Sequence, residues 1–482
     1  MPTELLIPFP KSSQPGDAPG EGIGRLINRY YELDGDVDMH RLTPGLTVFT
    51  DVGVANPRGQ IDVDGTLFVA RTGTALMVSA TGTVTTITGP LGGADYVTWA
   101  KNNRSVSASP PGPNVVAVSI GNGASLVTPS SVSAYPDPSL PQPNSVAFLD
   151  GYLLFTTASG SIYASGINDI WVDDSNHSTN ALAFALADLS GGLVRGTVAN
   201  GLYYAWGKKA CTVYTDAGTS PFPLARSGVI QVGLIGAAAI TGFEPGWGLS
   251  QFLVATDNTV RRVDGFAATP VSNKDVEHDI ATQADKSQIE MSCYVIRGRP
   301  TVVIKGPNFC WELNAITGFW NERQSATLNT WRASRSIWFN NNWYYGDTLT
   351  TNLLQLSEAA FQEAGVSFTA RLESGPLKQY PHRIRGVDAY FDFTTGMGVP
   401  GTPDSTDPSL WISTSLDGGA TWSTPVVRRA LGADGAFQHV ISVNRLGGIA
   451  SQHGIRYRLD SSSPVYSTFR GGRANVNLLG PP

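Results

Sequence analysis

Residues able to do chemistry are few and scattered along this chain of 482 residues. Its six histidines (His40, His177, His278, His382, His439 and His453) stand at least 14 residues apart, with no cysteine or carboxylate at metal-ligand spacing. Asp34, Asp36 and Asp38 alternate like the first half of a calcium loop. Met39 replaces the glycine that the sharp turn requires, and Gly45 replaces the bidentate glutamate, so a solvated turn is expected. Cys211 follows Lys208 and Lys209, a setting that lowers a thiol pKa, but Cys211-Thr212-Val213-Tyr214 alternates like a buried strand. The pairs Arg261-Arg262 and Arg428-Arg429 suit phosphate or a partner's carboxylates, with surface ion pairing the expectation. No phosphate-binding loop, nucleophile elbow or dinucleotide fingerprint is present. The sequence offers no catalytic set and calls for no metal or cofactor.

Two motifs are architectural. Ser415-Leu416-Asp417-Gly418-Gly419-Ala420-Thr421-Trp422 matches the Asp-box pattern, a hairpin turn in which Asp417 caps backbone N–H groups, Gly419 supplies positive φ and Trp422 packs beneath. Ser415 and Thr421 complete the pattern. The motif recurs as a structural turn in sialidases and other sugar-handling propellers, so a carbohydrate-binding or sialidase-like propeller is the alternative it keeps open. Around Trp311, the run Thr317-Gly318-Phe319-Trp320 reads as a strand end, a polar turn and a Trp that opens the next strand.

These motifs need strands to hold them, and the composition supplies little else. The chain carries 53 Gly and 31 Pro, too many for long helices, without the three-residue period of collagen. Its 11 Trp, 16 Tyr and 19 Phe suffice for a large core. Asp64-Gly65, Asp150-Gly151, Asn200-Gly201 and Asp264-Gly265 sit between apolar runs as hairpin turns in which both positions take positive φ. Their separations of 86, 50 and 64 residues are irregular but compatible with four-stranded blades of about 40–50 residues carrying unequal loops. Helix-forming composition is confined to Asn180–Leu189 and Leu353–Glu363. The expected fold is all-β. Residues 1–44 form an extended arm and first strand, 45–360 a β-propeller of six or seven blades, and 361–482 a β-sandwich-like domain. Net charge is −6, divided as −8 over residues 1–360 and +2 beyond, which argues against binding driven by phosphate neutralisation. Three cysteines are too few for a disulfide scaffold and suit a reducing compartment. No signal peptide or membrane span is expected.

Several segments, in order, resemble the packaged-DNA stabilisation proteins of short-tailed phages, the tail hub or nozzle family. The most specific is Leu202-Tyr203-Tyr204-Ala205-Trp206-Gly207, followed by the run from Thr212 to Arg226, with Leu224 where Phe is usual. Pro44-Gly45-Leu46, Arg58-Gly59, Asn258–Gly265, Thr317–Arg323, Tyr344-Tyr345-Gly346-Asp347, Arg445–Gly448 and Arg456–Leu459 look like further landmarks. The resemblance spans about residues 26–476. It implies a non-enzymatic virion protein, assembled in the host cytoplasm as a hexameric ring below the portal and its adaptor. Such a ring surrounds the DNA exit channel, helps retain the genome and carries a tail needle, tip or fibres. DNA would pass without sequence-specific binding, and the arm would suit an embrace between subunits.

Overall fold

Glycine-punctuated hairpins set the architecture. The computed structural model describes residues 2–109, 111–171, 191–219, 222–428, 431–444 and 448–480, with the backbone alone at 182–185. His177, Ser220, Pro221, Arg429 and Arg445–Gly447 lie outside them, as does most of Asn180–Leu189. At Asp64-Gly65, Asp150-Gly151 and Asn200-Gly201 both residues have positive φ, and each pair links the first and second strands of a blade. Asp264-Gly265 differs. Asp264 pairs with Ala267, so the turn residues are Gly265 and Phe266, with positive φ at Gly265 alone.

Seven four-stranded antiparallel units occur among the described residues. Their inner strands begin at Pro57, Val97, Pro143, Leu193, Ile240, Glu290 and Ala333, a spacing of 40–50 residues. Inner strands touch their neighbours around the circle except between blades 4 and 5. Those two meet through Arg195 and the Ala237 carbonyl and through Thr197 and Gln251. The last inner strand, Ala333–Phe339, contacts the first, Pro57–Val63. The body is therefore a closed seven-bladed β-propeller. The second strands of blades 3, 4 and 7 (Tyr152–Thr157, Leu202–Gly207 and Asn342–Asp347) are buried along almost their whole length, because each blade face is covered by the next blade. Trp206 is fully buried there, and its Nε1 donates to Thr197 Oγ1 at 3.1 Å. Burying each such large apolar side chain stabilises by roughly 1.5–3 kcal/mol.

Early strands close the later structure. We number them β1 (Thr3–Leu6), β2 (Gly24–Ile27), β3 (Arg29–Asp34), β4 (Val37–Leu42) and β5 (Gly45–Asp51). β5 is the outer strand of blade 7, paired with Asn352–Ser357. β2 lies between Trp320–Glu322 of blade 6 and Ala370–Ser374, which makes one continuous nine-stranded sheet. The far half of that sheet faces a second one, in which β1 and β4 pair with Thr468–Leu478. Leu26, Leu372, Phe391, Ile412, Tyr457 and Ala474 fill the space between the two sheets, forming a C-terminal β-sandwich.

Two expectations change. Leu353–Glu363 is not helical: its first half is strand paired to β5, because closing the ring outweighs local propensity. Residues 182–185 are likewise strand. The one helix of more than two turns among the described residues is α1 (Lys274–Thr282), capped by the Asn273 side chain, which accepts from the Val276 N–H. The arm packs on its own chain. Ile7 and Leu26 sit in the sandwich core and Phe9 packs on Phe469 at 4.5 Å between ring centroids, burial that an exposed arm would forgo.

Candidate functional site: the plugged axis and the arm junction

A propeller axis is a channel unless side chains fill it. Here Tyr96, from the loop joining blades 1 and 2, stands between two guanidinium groups. Arg195 of blade 4 lies 4.9 Å from its ring centroid and Arg335 of blade 7 lies 4.4 Å from it. A register shift between Ser334 and Ile337 bulges the inner strand of blade 7, and Arg335 occupies the bulge with φ +59°. Glu290 accepts from the Arg335 N–H at 2.5 Å and lies 3.5 Å from its Nη1. Burial works to raise the Glu290 pKa, but Arg335 and Lys305 outweigh it and hold the carboxylate below its ordinary value. Two cavities of ≈ 510 and ≈ 800 Å³ share Tyr96 and Arg335 as wall residues, so these side chains divide the axis. A duplex whose major groove alone is about 12 Å wide cannot thread it.

The arm junction brings the two architectural motifs into one structure. At Thr317-Gly318, Asn314 Oδ1 accepts from the Ile316 and Thr317 N–H groups at 3.0 and 3.2 Å, and Gly318 takes φ +74°. Trp320 then opens the outer strand of blade 6. Its N–H donates to Ser12 Oγ at 3.0 Å, its carbonyl accepts from the Ser13 N–H at 2.7 Å, and its indole donates to the Val271 carbonyl at 3.1 Å. The arm runs on to the Asp-box hairpin, where the Gly20 N–H donates to the Gly418 carbonyl at 2.9 Å and Arg456 Nη2 donates to the Glu21 carbonyl.

Within the hairpin, Asp417 accepts from Ser415 Oγ at 2.7 Å, the Thr421 N–H at 2.9 Å and Thr421 Oγ1 at 2.6 Å. Ser415 Oγ in turn accepts from the Gly419 N–H at 2.8 Å. Desolvation opposes the charge on Asp417, but the bonds from Thr421 and Ser415 outweigh it and hold its pKa down at about 2. The Arg458 guanidinium covers the Trp422 ring at 4.0 Å. The strap between the two motifs is the N-terminal arm.

Sequence reasoning missed a buried ionic core behind this strap. Arg323, fully buried, lies 3.1 Å from Glu312 and 3.4 Å from Glu363, and donates to the Pro44 carbonyl at 2.5 Å. Trp331 Nε1 and Ser325 Oγ donate to Glu363 at 2.8 and 2.5 Å. The landmark run Trp320-Asn321-Glu322-Arg323 therefore binds, in turn, the arm, Glu312, Arg25 and two carboxylates. Elsewhere, Arg261 and Arg262 pair with Asp257 and Asp264 on the surface. Asp34 and Asp38 flank the β3–β4 turn, and Cys211, Cys293 and Cys310 are free and buried. Among the described residues, no group of three or more His, Cys, Asp or Glu could hold a metal ion, and no helix is long and apolar enough to cross a membrane.

No curated protein matches the chain. Among solved structures it is similar to BamB from Moraxella catarrhalis, at 12% identity over 68% of this chain and 93% of that one, with a TM-score of 0.38. It is also similar to the WD40 β-propeller domain of Doa1 (9% identity, 65% and 96% covered, TM-score 0.41). A third similar structure is the computationally designed Ika8 protein (12% identity, 73% and 98% covered, TM-score 0.38). At these TM-scores the likenesses carry no weight for fold or function. The family model described as "Bacteriophage P22 Gp10, beta-propeller" matches residues 31–360. The chain belongs to that family of phage stabilisation proteins.

Proposed function

We propose that the protein is a non-enzymatic tail hub or nozzle subunit of the virion. Six copies would form a ring around the DNA exit channel below the portal and its adaptor. The ring would help retain the packaged genome and carry a needle, tip or fibres. The observation that carries this reading is the plugged axis in a member of a phage stabilisation family. A subunit whose own axis is closed must leave DNA to pass between copies, which calls for a closed cyclic assembly. The net −8 of residues 1–360 suits a wall past which phosphates slide, because a basic wall would hold them. The arm stiffens each subunit by tying blade 6 to the sandwich.

The test is native mass measurement on recombinant protein and on rings released from particles. Six copies per ring are expected. A chain that stays monomeric at all concentrations, alone and with portal and adaptor, would sink the proposal.

A further inference from the structure

In the smaller axial cavity, ≈ 510 Å³, one guanidinium of the wall has no ion-pair partner among the described residues. Arg195 is only 5% exposed. Its Nη1 donates to the Ala237 carbonyl at 2.8 Å, and its guanidinium stacks on Tyr96 and, at 4.6 Å, on Phe243. Its Nε is buried without a hydrogen-bond partner, and among the described residues no carboxylate lies within ion-pair distance. The other cations of this wall are matched: Lys101 pairs with Asp64 at 2.6 Å, and Arg335 with Glu290. A second donor, Trp99 Nε1, is also buried without a partner. Leaving buried donors unpaired is costly, most of all for a charged one, so these groups favour a ligand that supplies acceptors.

The rest of the wall defines what else the ligand offers. Trp99, Trp338 and Phe148 add aromatic rings to the wall, while Asp62 and Glu244, which already accept from the Gly65 N–H and from Thr241 Oγ1 and the Gly242 N–H, keep further lone pairs for hydroxyl groups. The volume lies within the range of small-molecule sites. One unpaired guanidinium with two carboxylates in the same wall disfavours a dianion such as phosphate and suits a monoanion rich in hydroxyls. We propose that this cavity binds a saccharide bearing a carboxylate, with the carboxylate on Arg195, a ring face on the tryptophans and hydroxyls on Asp62 and Glu244. The site stands independently of the ring assembly.

Titration calorimetry on the full chain with glucuronic acid, its methyl ester, glucose and inorganic phosphate tests this. Glucuronic acid should bind saturably, and esterification should weaken it ~10-fold or more, the loss expected for one charge-assisted contact. Arg195→Gln and Trp338→Ala should each weaken it by a similar factor. The ester comparison on the unmodified protein stands even if Arg195→Gln fails to fold. Absence of saturation, equal binding of glucose, or phosphate binding as tight as glucuronate would overturn the proposal. Copy number in the ring is a separate readout.

Discussion

Arg25 grips Glu322 in a forked ion pair, with Nε at 2.7 and 3.0 Å from the two carboxylate oxygens and Nη2 at 2.6 Å from one of them. The pair crosses from β2 to the last strand of blade 6, and Glu322 also accepts from Ser13 Oγ at 2.9 Å. Arg25→Ala should therefore destabilise the chain by about 2 kcal/mol, since it leaves a mostly buried carboxylate with one neutral donor. Chemical denaturation should show the loss. Glu322→Gln, which keeps the shape, should cost less. Equal stability of Arg25→Ala and the parent would refute the account.

Arg323→Met should be the more damaging change. Burial works against its charge, yet Glu312 and Glu363 outweigh that and keep its pKa above the ordinary arginine value. Removing it leaves two buried carboxylates facing each other's field, at about 3–5 kcal/mol. A large drop in melting temperature is expected, with partial recovery on the further change Glu363→Gln.

His40 ties the arm to the sandwich and should make that joint acid-sensitive. Its Nε2 donates to the Pro10 carbonyl at 2.8 Å, and its ring packs against Tyr31 and Phe469. Burial lowers its pKa to about 4 and Arg29 adds to the shift, against the pull of Pro10 and Asp38. The unfolded chain therefore binds more protons between pH 6.5 and 4. Stability from this site is present above pH 6.5 and is lost as pH falls toward 4, by about 3 kcal/mol in all. Comparing unfolding of the parent and His40→Gln at pH 7 and pH 4.5 checks this: the parent should lose more. Identical pH profiles would count against it.

Asp417 titrates lower. With its pKa held at about 2 against an ordinary 3.8, its contribution is present above pH 3.8 and is lost as pH falls through 2. Asp417→Asn should cost about 1 kcal/mol at pH 7, a modest figure because the turn is partly exposed. The expected signature is local. Cleavage after Glu21 by a glutamyl endopeptidase should speed up, because the hairpin that holds Gly20 has loosened.

What could be read in advance was what is local. Asp64-Gly65, Asp150-Gly151 and Asn200-Gly201 specify their turns from two residues, but they mark only blades 1, 3 and 4, so the blade spacing was compatible with them rather than set by them. Asp264-Gly265 slipped by one residue because strand register, not the dipeptide, chooses the turn positions. Leu353-Leu354-Gln355-Leu356 has helical composition, but its partner is β5, about three hundred residues away, and no window of sequence contains both. The α1 helix did carry a signal, Asn273 ahead of Asp275 and Glu277, that composition alone passed over. Arg195, a charge inside the run Leu193–Ala199, was passed over, and Tyr96 carried no signal, because the axis exists only once the ring is closed.

The placement of β1, β2 and β5 also constrains how the chain comes off the ribosome. Their partners lie at Thr468–Leu478, at Trp320–Glu322 and Ala370–Ser374, and at Asn352–Ser357. The first strands made are thus the last to find a place, and they wait exposed while most of the chain is synthesised. A product that stops before Asn352 cannot close its ring, and one that stops before Thr468 cannot complete its sandwich. Closing the ring must therefore wait for Asn352–Ser357, and completing the sandwich for Thr468–Leu478.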